Sequence, residues 1–367
     1  MKCIIITIYD PNPNYGNRLQ NYAMQSVLAS IGASVHTVSF EKKLFSGLTK
    51  WKYLLQSLCG YRLPGDAAYW KYHIPKVKAF HQFNNRYIDT IEVSSIQEAE
   101  KLEADYFVLG SDQVWNPQWY DNCELKKYMY LLTFTVPEKK VTFAPSFGAK
   151  EIPEQWTSWF RENLKHFREI SVREEAGVNI IRDLTGKKAE VLIDPTMMLD
   201  KSEWLAIAEK PKNLDCSASY ILTYFLGGRS GRVNKNLEEY AVKNNMKVYN
   251  LLDRNQPALF VTDPGEFIYL ISNARLVMTD SFHACVFSFL FKKPFLVYVR
   301  EGNESSMMSR METFLKKFDL ERKYVDSGLE NDLFECEYST GFAKLNIERQ
   351  KALSFLKRSM GMQEQTE

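Results

Sequence analysis

The sequence has no surplus of charge of one sign and no long apolar run, and each absence excludes a class of protein. Its 47 basic and 45 acidic side chains give a net charge of +2, without the basic excess that a nucleic-acid binder gathers on one face. No apolar run approaches the length of a transmembrane helix. We therefore expect a chain that binds no nucleic acid and does not span a membrane.

Cysteine and histidine are also scarce and scattered. No two of the six cysteines form a CxxC pair and no Cys/His cluster occurs, so no metal site is predicted. Several cysteines lie in apolar runs, where a free thiol packs as a small core residue, and we expect them to be reduced. The N-terminal run "MKCIIITIYDP" is too short for a signal-peptide core, so the expected location is the cytoplasm.

What is present is the composition of a globular protein, with 45% apolar and 25% charged residues in 367 positions, enough for two domains. Strand and helix patterns alternate, which indicates parallel sheets covered by helices. Most strands are continuous apolar runs, as in strands buried on both faces. The predicted strands are Cys3–Ile8, Val35–Ser39, Tyr106–Leu109, Lys140–Ala144, Glu169–Val172, Ala189–Ile193, Tyr220–Phe225, Lys247–Leu251, Leu276–Thr279 and Pro294–Val299. The predicted helices include Asn17–Ile31, Trp156–His166, Leu237–Asn244 and Ile347–Met360.

The composition changes around "DPTMMLDKSEW", which places a domain boundary near residue 200. We predict an α/β protein with two domains facing a cleft, residues 1–200 and 201–367. The last helix is a candidate to cross back to the first domain. An aromatic and lysine-rich insertion at about 41–85 fits neither domain pattern. It suits either a helical insertion with a solvated basic face or an acceptor and membrane-surface patch.

Ligands of open α/β sheets bind beyond the carboxyl ends of the strands, so the residues after each strand are the candidate site residues. Gly16 permits close approach of the backbone to a ligand, and Asn17 is a candidate helix cap. Arg173 follows another strand and pairs either with a ligand or with a surface carboxylate such as Glu174. The "LGGRSG" segment is either a phosphate-binding loop or a flexible turn. The candidate substrate-binding residues are Asn14, Tyr15, Gly16, Asn17, Ser111, Gln113, Asn116, Gly227, Gly228, Asp280, Ser281 and Phe282.

His283 lies between a buried strand and the apolar helix "ACVFSFLF". If Asp280 or Ser281 caps that helix, His283 lies in its first turn, beside unpaired N–H groups and the positive end of the helix dipole. Such an end binds phosphate or carboxylate. We therefore predict a neutral imidazole that acts as an acid or a base beside a bound anion, with Asp112 as a second candidate base.

Five segments together resemble the polysaccharide pyruvyl transferase family: "NYGNRLQNYAMQ", "VLGSDQVWN", "SVREEAG", "VLIDPTMML" and "TDSFHACVFSFLFKKPF". They extend from about Tyr15 to Phe295. The resemblance implies two Rossmann-like domains in a GT-B-like arrangement. It implies transfer of a pyruvyl group from phosphoenolpyruvate to a sugar, with formation of a ketal and release of phosphate. It also places the family's functional arginine at Arg173 and its histidine at His283.

Phosphoenolpyruvate is then the donor substrate, with no cofactor. The acceptor is a sugar of a surface polysaccharide, exopolysaccharide or capsule, or of its lipid-linked precursor. If the acceptor is lipid-linked, the protein is expected to contact the inner face of the membrane peripherally. Arg173 would hold one anionic group of the donor through its planar fork, and the helix end at His283 would hold the other. Two alternatives remain open: a sugar-nucleotide glycosyltransferase of the same plan, and a carbohydrate-binding protein without activity.

Overall fold

The computed structural model describes residues 1–9, 13–40, 72–120, 123–300, 304–325, 334 and 336–362, without the side chains of residue 119 and residues 304–308. Most of the aromatic and lysine-rich insertion therefore lies outside the described residues. Its described C-terminal part forms a helix that buries Phe80 and Phe83 in the core.

The first sheet has five parallel strands in the order β3-β2-β1-β4-β5. A short parallel pair, β6 with β7, follows. The strands are β1 Lys2–Ile6, β2 Ser34–Ser39, β3 Thr90–Glu92, β4 Tyr106–Gly110, β5 Lys140–Phe143, β6 Ser171–Val172 and β7 Glu190–Val191. Strands β1, β4 and β5 are buried along nearly their whole length, as their continuous apolar runs predict.

The second sheet has four parallel strands in the order β11-β10-β8-β9. They are β8 Tyr220–Tyr224, β9 Lys247–Asn250, β10 Leu276–Thr279 and β11 Phe295–Val297. All ten predicted strands overlap observed ones, and β3 was missed because its three residues alternate in exposure at the sheet edge. The α/β class with parallel sheets is confirmed.

Helices connect the strands, as parallel pairing requires. They are α1 Tyr15–Ser30, α2 Ile74–Tyr87, α3 Ile96–Ala99, α4 Glu124–Tyr130, α5 Glu154–Leu164, α6 Glu175–Thr185, α7 Lys201–Ala206, α8 Gly231–Lys243, α9 Pro257–Phe260, α10 Pro264–Asn273, α11 Phe282–Leu290, α12 Glu304–Lys317 and α13 Ser339–Ser359. Within the described ranges, none of them combines the length and the apolar character needed to cross a bilayer.

Two contacts tie the sheet units together. Tyr15 on α1 stacks on Phe267 of α10, with 4.5 Å between ring centroids. The last helix, α13, begins near Phe289 of α11 and ends beside the first sheet, where Tyr106 of β4 donates a hydrogen bond to the Met360 carbonyl. Near the same end, Arg358 forms ion pairs with Glu169, which lies just before β6, and with Glu190 of β7. The boundary near residue 200 falls between β7 and β8 and stays a prediction.

Candidate functional site

A buried ion pair lies at the carboxyl ends of β6 and β7. Arg173 follows β6 and Asp194 lies three residues after β7, and because these strands are parallel neighbours, both residues reach the same edge. The Arg173 Nη1 donates to Asp194 Oδ2 at 2.6 Å, and both side chains are almost completely buried. The expected alternative, an exposed arginine that pairs with a surface carboxylate, is therefore wrong.

Asp194 was not among the predicted site residues. Its Oδ1 accepts hydrogen bonds from the N–H and hydroxyl of Thr196 at 3.0 and 2.7 Å, and its Oδ2 also accepts from the Ser111 hydroxyl at 3.3 Å. Burial raises the pKa of the Asp194 carboxyl, but His283, Arg173 and the Thr196 N–H outweigh burial and hold it far below its usual range. Asp194 is therefore a carboxylate at neutral pH.

His283 lies in the first turn of α11, as predicted, and its ring faces the same carboxylate. The Nε2 is 3.7 Å from Asp194 Oδ2, too far for a hydrogen bond, and it has no hydrogen-bond partner among the described residues. The other side of the ring packs against Gly16 of α1, where an added methyl group would overlap it. Gly16 is thus needed for the close approach of His283, and the predicted approach of a ligand to its backbone stays a prediction.

Asp112 is a further carboxylate near Arg173, with its Oδ1 3.6 Å from Arg173 Nη2. The Asn17 amide donates to its Oδ2 at 3.3 Å. Burial raises the pKa of the Asp112 carboxyl, but Arg173, His283 and Arg310 outweigh it, so the pKa is below its ordinary value. A lowered pKa makes Asp112 a weak proton acceptor and a strong partner for cations. The Asp112 side chain is 16% exposed, so it lies at the edge of the site rather than in its buried part.

The structure brings Arg173, His283, Asp112, Asn17 and Ser111 together around Asp194. Asn17 was predicted to cap α1, but it lies within the first turn of that helix.

The cap of α1 is Asn14, whose side chain accepts from the Asn17 N–H. Tyr15 points away from the cluster into the core, and its hydroxyl bonds Thr262. Asn116 caps the turn at Pro117–Trp119. Asn14, Tyr15 and Asn116 therefore have structural roles, and their predicted contacts with substrate stay predictions.

The "LGGRSG" loop already holds an anion of the protein itself. The Asp280 carboxylate accepts from the N–H groups of Leu226 and Gly227 at 2.7 and 2.8 Å, and Arg300 Nε donates to it at 3.2 Å. Of the two predicted caps of α11, Asp280 and Ser281, Asp280 does not take the cap position, since its oxygens are engaged by this loop. Ser281 occupies the cap position, but its side chain makes no capping hydrogen bond. Among the described residues, no hydrogen bond joins Gly227 or Gly228 to Asp194.

Phe282 and Gln113 support the cluster from two sides. The guanidinium of Arg173 lies over the Phe282 ring, 4.9 Å from its centroid. Gln113 is buried and lies against Gly148, where its amide occupies the space that a side chain at Gly148 would need. Both residues shape the surroundings of the cluster rather than extend it.

Glu174 is a second buried carboxylate that the sequence analysis did not assign to the site. One of its oxygens accepts from the Ser146 hydroxyl and from the N–H groups of Phe147 and Gly148, at 2.9 to 3.2 Å. The other oxygen has no hydrogen-bond partner within the described ranges. Glu174 thus fixes the "PSFG" turn after β5. Its place directly after Arg173 was the available signal.

A further arginine reaches the site from the second half of the chain. Arg310 on α12 is 4% exposed and, with Arg173, Asp194 and Phe282, lines a cavity of about 20 Å³. Burial and then the charge of Arg173 lower the pKa of Arg310 to about 10. A single arginine in a polar helix carried no signal of this role.

Together these groups can bind a small anion and move a proton. Arg173 Nε and Nη2 have no hydrogen-bond partner among the described residues, and neither has His283 Nε2. Buried donors of this kind are costly unless a ligand or water satisfies them. Among the described residues, no group of three or more His, Cys, Asp or Glu side chains is placed to hold a metal ion.

A family model described as polysaccharide pyruvyl transferase matches residues 14–302. No curated protein matches the chain in sequence.

Solved structures resemble the fold at low sequence identity. The putative UDP-N-acetylglucosamine 2-epimerase from Listeria monocytogenes has a TM-score of 0.50 and 10% identity, over 100% of this chain and 99% of that chain. The UDP-GlcNAc 2-epimerase from Neisseria meningitidis bound to UDP-GlcNAc has a TM-score of 0.43 and 12% identity, over 96% and 100%. MurG from Acinetobacter baumannii has a TM-score of 0.41 and 8% identity, over 100% and 96%. The fold is that of two Rossmann-like domains in the GT-B arrangement.

Proposed function

Because this chain belongs to the polysaccharide pyruvyl transferase family, we propose that it transfers a pyruvyl group from phosphoenolpyruvate to a sugar. The acceptor is a surface polysaccharide or its lipid-linked precursor, the product is a ketal, and phosphate is released. The observation that carries the proposal is the convergence of Arg173 and His283 on the buried carboxylate of Asp194.

Asp194 positions the two groups that would meet the donor. It binds one terminal nitrogen of Arg173, which leaves Nε and Nη2 for an oxyanion. A planar fork of this kind suits a carboxylate or phosphate better than a lysine would. The N-terminal turn of α11, which begins beside Ser281, supplies N–H groups for the other anionic group.

The reaction requires two C–O bonds to form and one to break. The first sugar hydroxyl adds to the carbon that bears the phosphate and loses its proton, while the neighbouring methylene carbon gains a proton and becomes methyl. The phosphate then leaves with the electrons of its C–O bond. The second hydroxyl closes the ketal, and its proton ends on the released phosphate.

His283 is the proposed acid and base of these steps, because its Nε2 is buried near the site and has no hydrogen-bond partner in the described part of the chain. Asp112 is proposed to orient Arg173 and the attacking hydroxyl rather than to accept the proton, since its pKa is lowered. The scheme uses no cofactor, so we expect a chelator to leave the rate unchanged. We propose that the protein acts in the cytoplasm, free or at the inner face of the membrane.

A sugar-nucleotide glycosyltransferase is less well supported. In that alternative the "LGGRSG" loop would bind a diphosphate, but its N–H groups at Leu226 and Gly227 donate to Asp280. A nucleotide would have to displace a buried carboxylate that also pairs with Arg300. Displacement of a hydrogen-bonded buried ion pair is costly.

The experiment compares donors and acceptors directly. The purified protein is incubated with phosphoenolpyruvate or with a panel of UDP-sugars, each with free and lipid-linked sugar acceptors. We expect phosphate release and a pyruvyl ketal on the acceptor with phosphoenolpyruvate only. Sugar transfer from a nucleotide would establish the glycosyltransferase alternative, and acceptor binding without turnover of any donor would establish the carbohydrate-binding one.

A further inference from the structure

A larger cavity lies between α6, from the first part of the chain, and α12, from the second. Its volume is about 350 Å³. The α6 side contributes Glu175 and Asn179, and the α12 side contributes Ser309, Glu312 and Thr313. Pockets that bind small molecules measure roughly 300–1,000 Å³. This cavity can therefore hold part of a glycan, whereas the cavity of about 20 Å³ beside Arg173 has room for little more than a water molecule.

The larger cavity is close to the groups that would meet the donor. Glu175 follows Arg173 by two residues, so the chain separates them by at most about 7 Å. Thr313 lines both this cavity and the small one that Arg173 and Asp194 border. The Glu175 N–H lies 3.5 Å from Thr313 Oγ1, so the two helices meet at this point. A ligand of the larger cavity would therefore lie beside the Arg173–Asp194 pair.

The lining suits a neutral ligand that is rich in hydroxyl groups. The two carboxylates of Glu175 and Glu312 are balanced by the two ammonium groups of Lys150 and Lys316, so the formal charges cancel. These four side chains and that of Asn179 are exposed, and within the described ranges none of the five has a hydrogen-bond or ion-pair partner. A sugar hydroxyl both donates and accepts, so it can bind carboxylate, amide and ammonium groups alike. An anionic ligand would find no net positive charge here.

We propose that this cavity is the acceptor site, and that Asn179 and Glu312 bind hydroxyls of the sugar that receives the pyruvyl group. The inference rests on the proposed function. A surface polysaccharide and its lipid-linked precursor both present such hydroxyls, so the cavity suits either source. Because α6 and α12 belong to different halves of the chain, the acceptor would be bound only where both halves contribute.

The test compares the wild type with Asn179→Ala, Glu312→Gln and the double variant. Both positions are exposed, so we expect the variants to fold, and circular dichroism checks this. Glu321→Gln is the matched control, since Glu321 is an exposed glutamate just after α12 that does not line the cavity. The probe is the sugar that accepts the pyruvyl group in the donor experiment above.

We expect the double variant to raise KM for this acceptor about ten- to a hundredfold, the effect of losing hydrogen bonds to one charged and one neutral group. Each single variant should show a smaller rise. KM for phosphoenolpyruvate, and the rise in melting temperature that phosphoenolpyruvate causes, should stay at their wild-type values. The control should match the wild type in every measurement.

A wild-type KM for the acceptor in the double variant would overturn the assignment, and so would a rise in KM for phosphoenolpyruvate instead. If the wild type turned over no phosphoenolpyruvate, the proposed function would fail, and calorimetric titration with the same free and lipid-linked sugars would decide about the cavity. Weaker sugar binding by the double variant than by the wild type would support a sugar site. Equal binding, or no binding to the wild type, would overturn it.

Discussion

Replacement of Asp194 by asparagine tests the centre of the site. Asparagine has nearly the same shape, but it removes the charge that Arg173 binds at 2.6 Å. The amide can still accept one of the Thr196 hydrogen bonds made at Oδ1. The change therefore separates the ionic role of residue 194 from its local packing.

The structure sets the size of the expected effect. Both partners of the pair are almost fully buried, and the other carboxylates that act on Arg173, Asp112 at 3.6 Å and Glu174, make no hydrogen bond to it. Removal of one partner from a buried ion pair costs about 3–5 kcal/mol, because the other charge is left without compensation. We expect Asp194→Asn to lose about this much unfolding free energy at neutral pH and most of its turnover.

Urea unfolding, followed by circular dichroism, measures the free energy, and phosphate release from phosphoenolpyruvate measures the turnover. Asp215→Asn is the matched control, because Asp215 also pairs with a cation, Lys247 at 2.9 Å, but on the surface. We expect the control to unfold and to react like the wild type. Wild-type stability in Asp194→Asn would refute the reasoning about this pair.

Three further predictions follow from the same cluster. The folded-state pKa of Asp194 is lowered. The unfolding free energy of the wild type should therefore exceed that of Asp194→Asn by its full amount above about pH 5, and by less as the pH falls. A difference that stays constant down to about pH 3 in urea titrations would contradict this. His283→Ala and Arg173→Ala should each lower turnover about a hundredfold or more, and a folded variant with full activity would remove that residue from the mechanism. Gly16→Ala should displace the His283 ring and lower turnover about a hundredfold. Gly231→Ala is the control and should keep its turnover, because a methyl group at Gly231 meets open space. Equal activity of the two variants would show that the position of the His283 ring is not critical.

Local patterns were sufficient to predict the sheets, because parallel strands buried on both faces appear as apolar runs whatever their partners are. The same logic placed Arg173 and His283 at strand ends. Local patterns did not predict the partner of a side chain that has two plausible partners. Asp280 fits a helix cap in sequence, but the "LGGRSG" loop lies closer to its carboxylate in the fold.

The order of apolar runs and polar strand ends determined the α/β class and five of the residues at the site, since both depend on neighbours along the chain. The five are Arg173, His283, Asp112, Asn17 and Ser111. The partners of those residues were decided by the tertiary structure alone. Asp194 meets Arg173 because β6 and β7 are adjacent, and Arg310 joins them from α12, more than a hundred positions later in the chain. Charge pairing in a buried site depends on distances through space, which no local pattern in the sequence records.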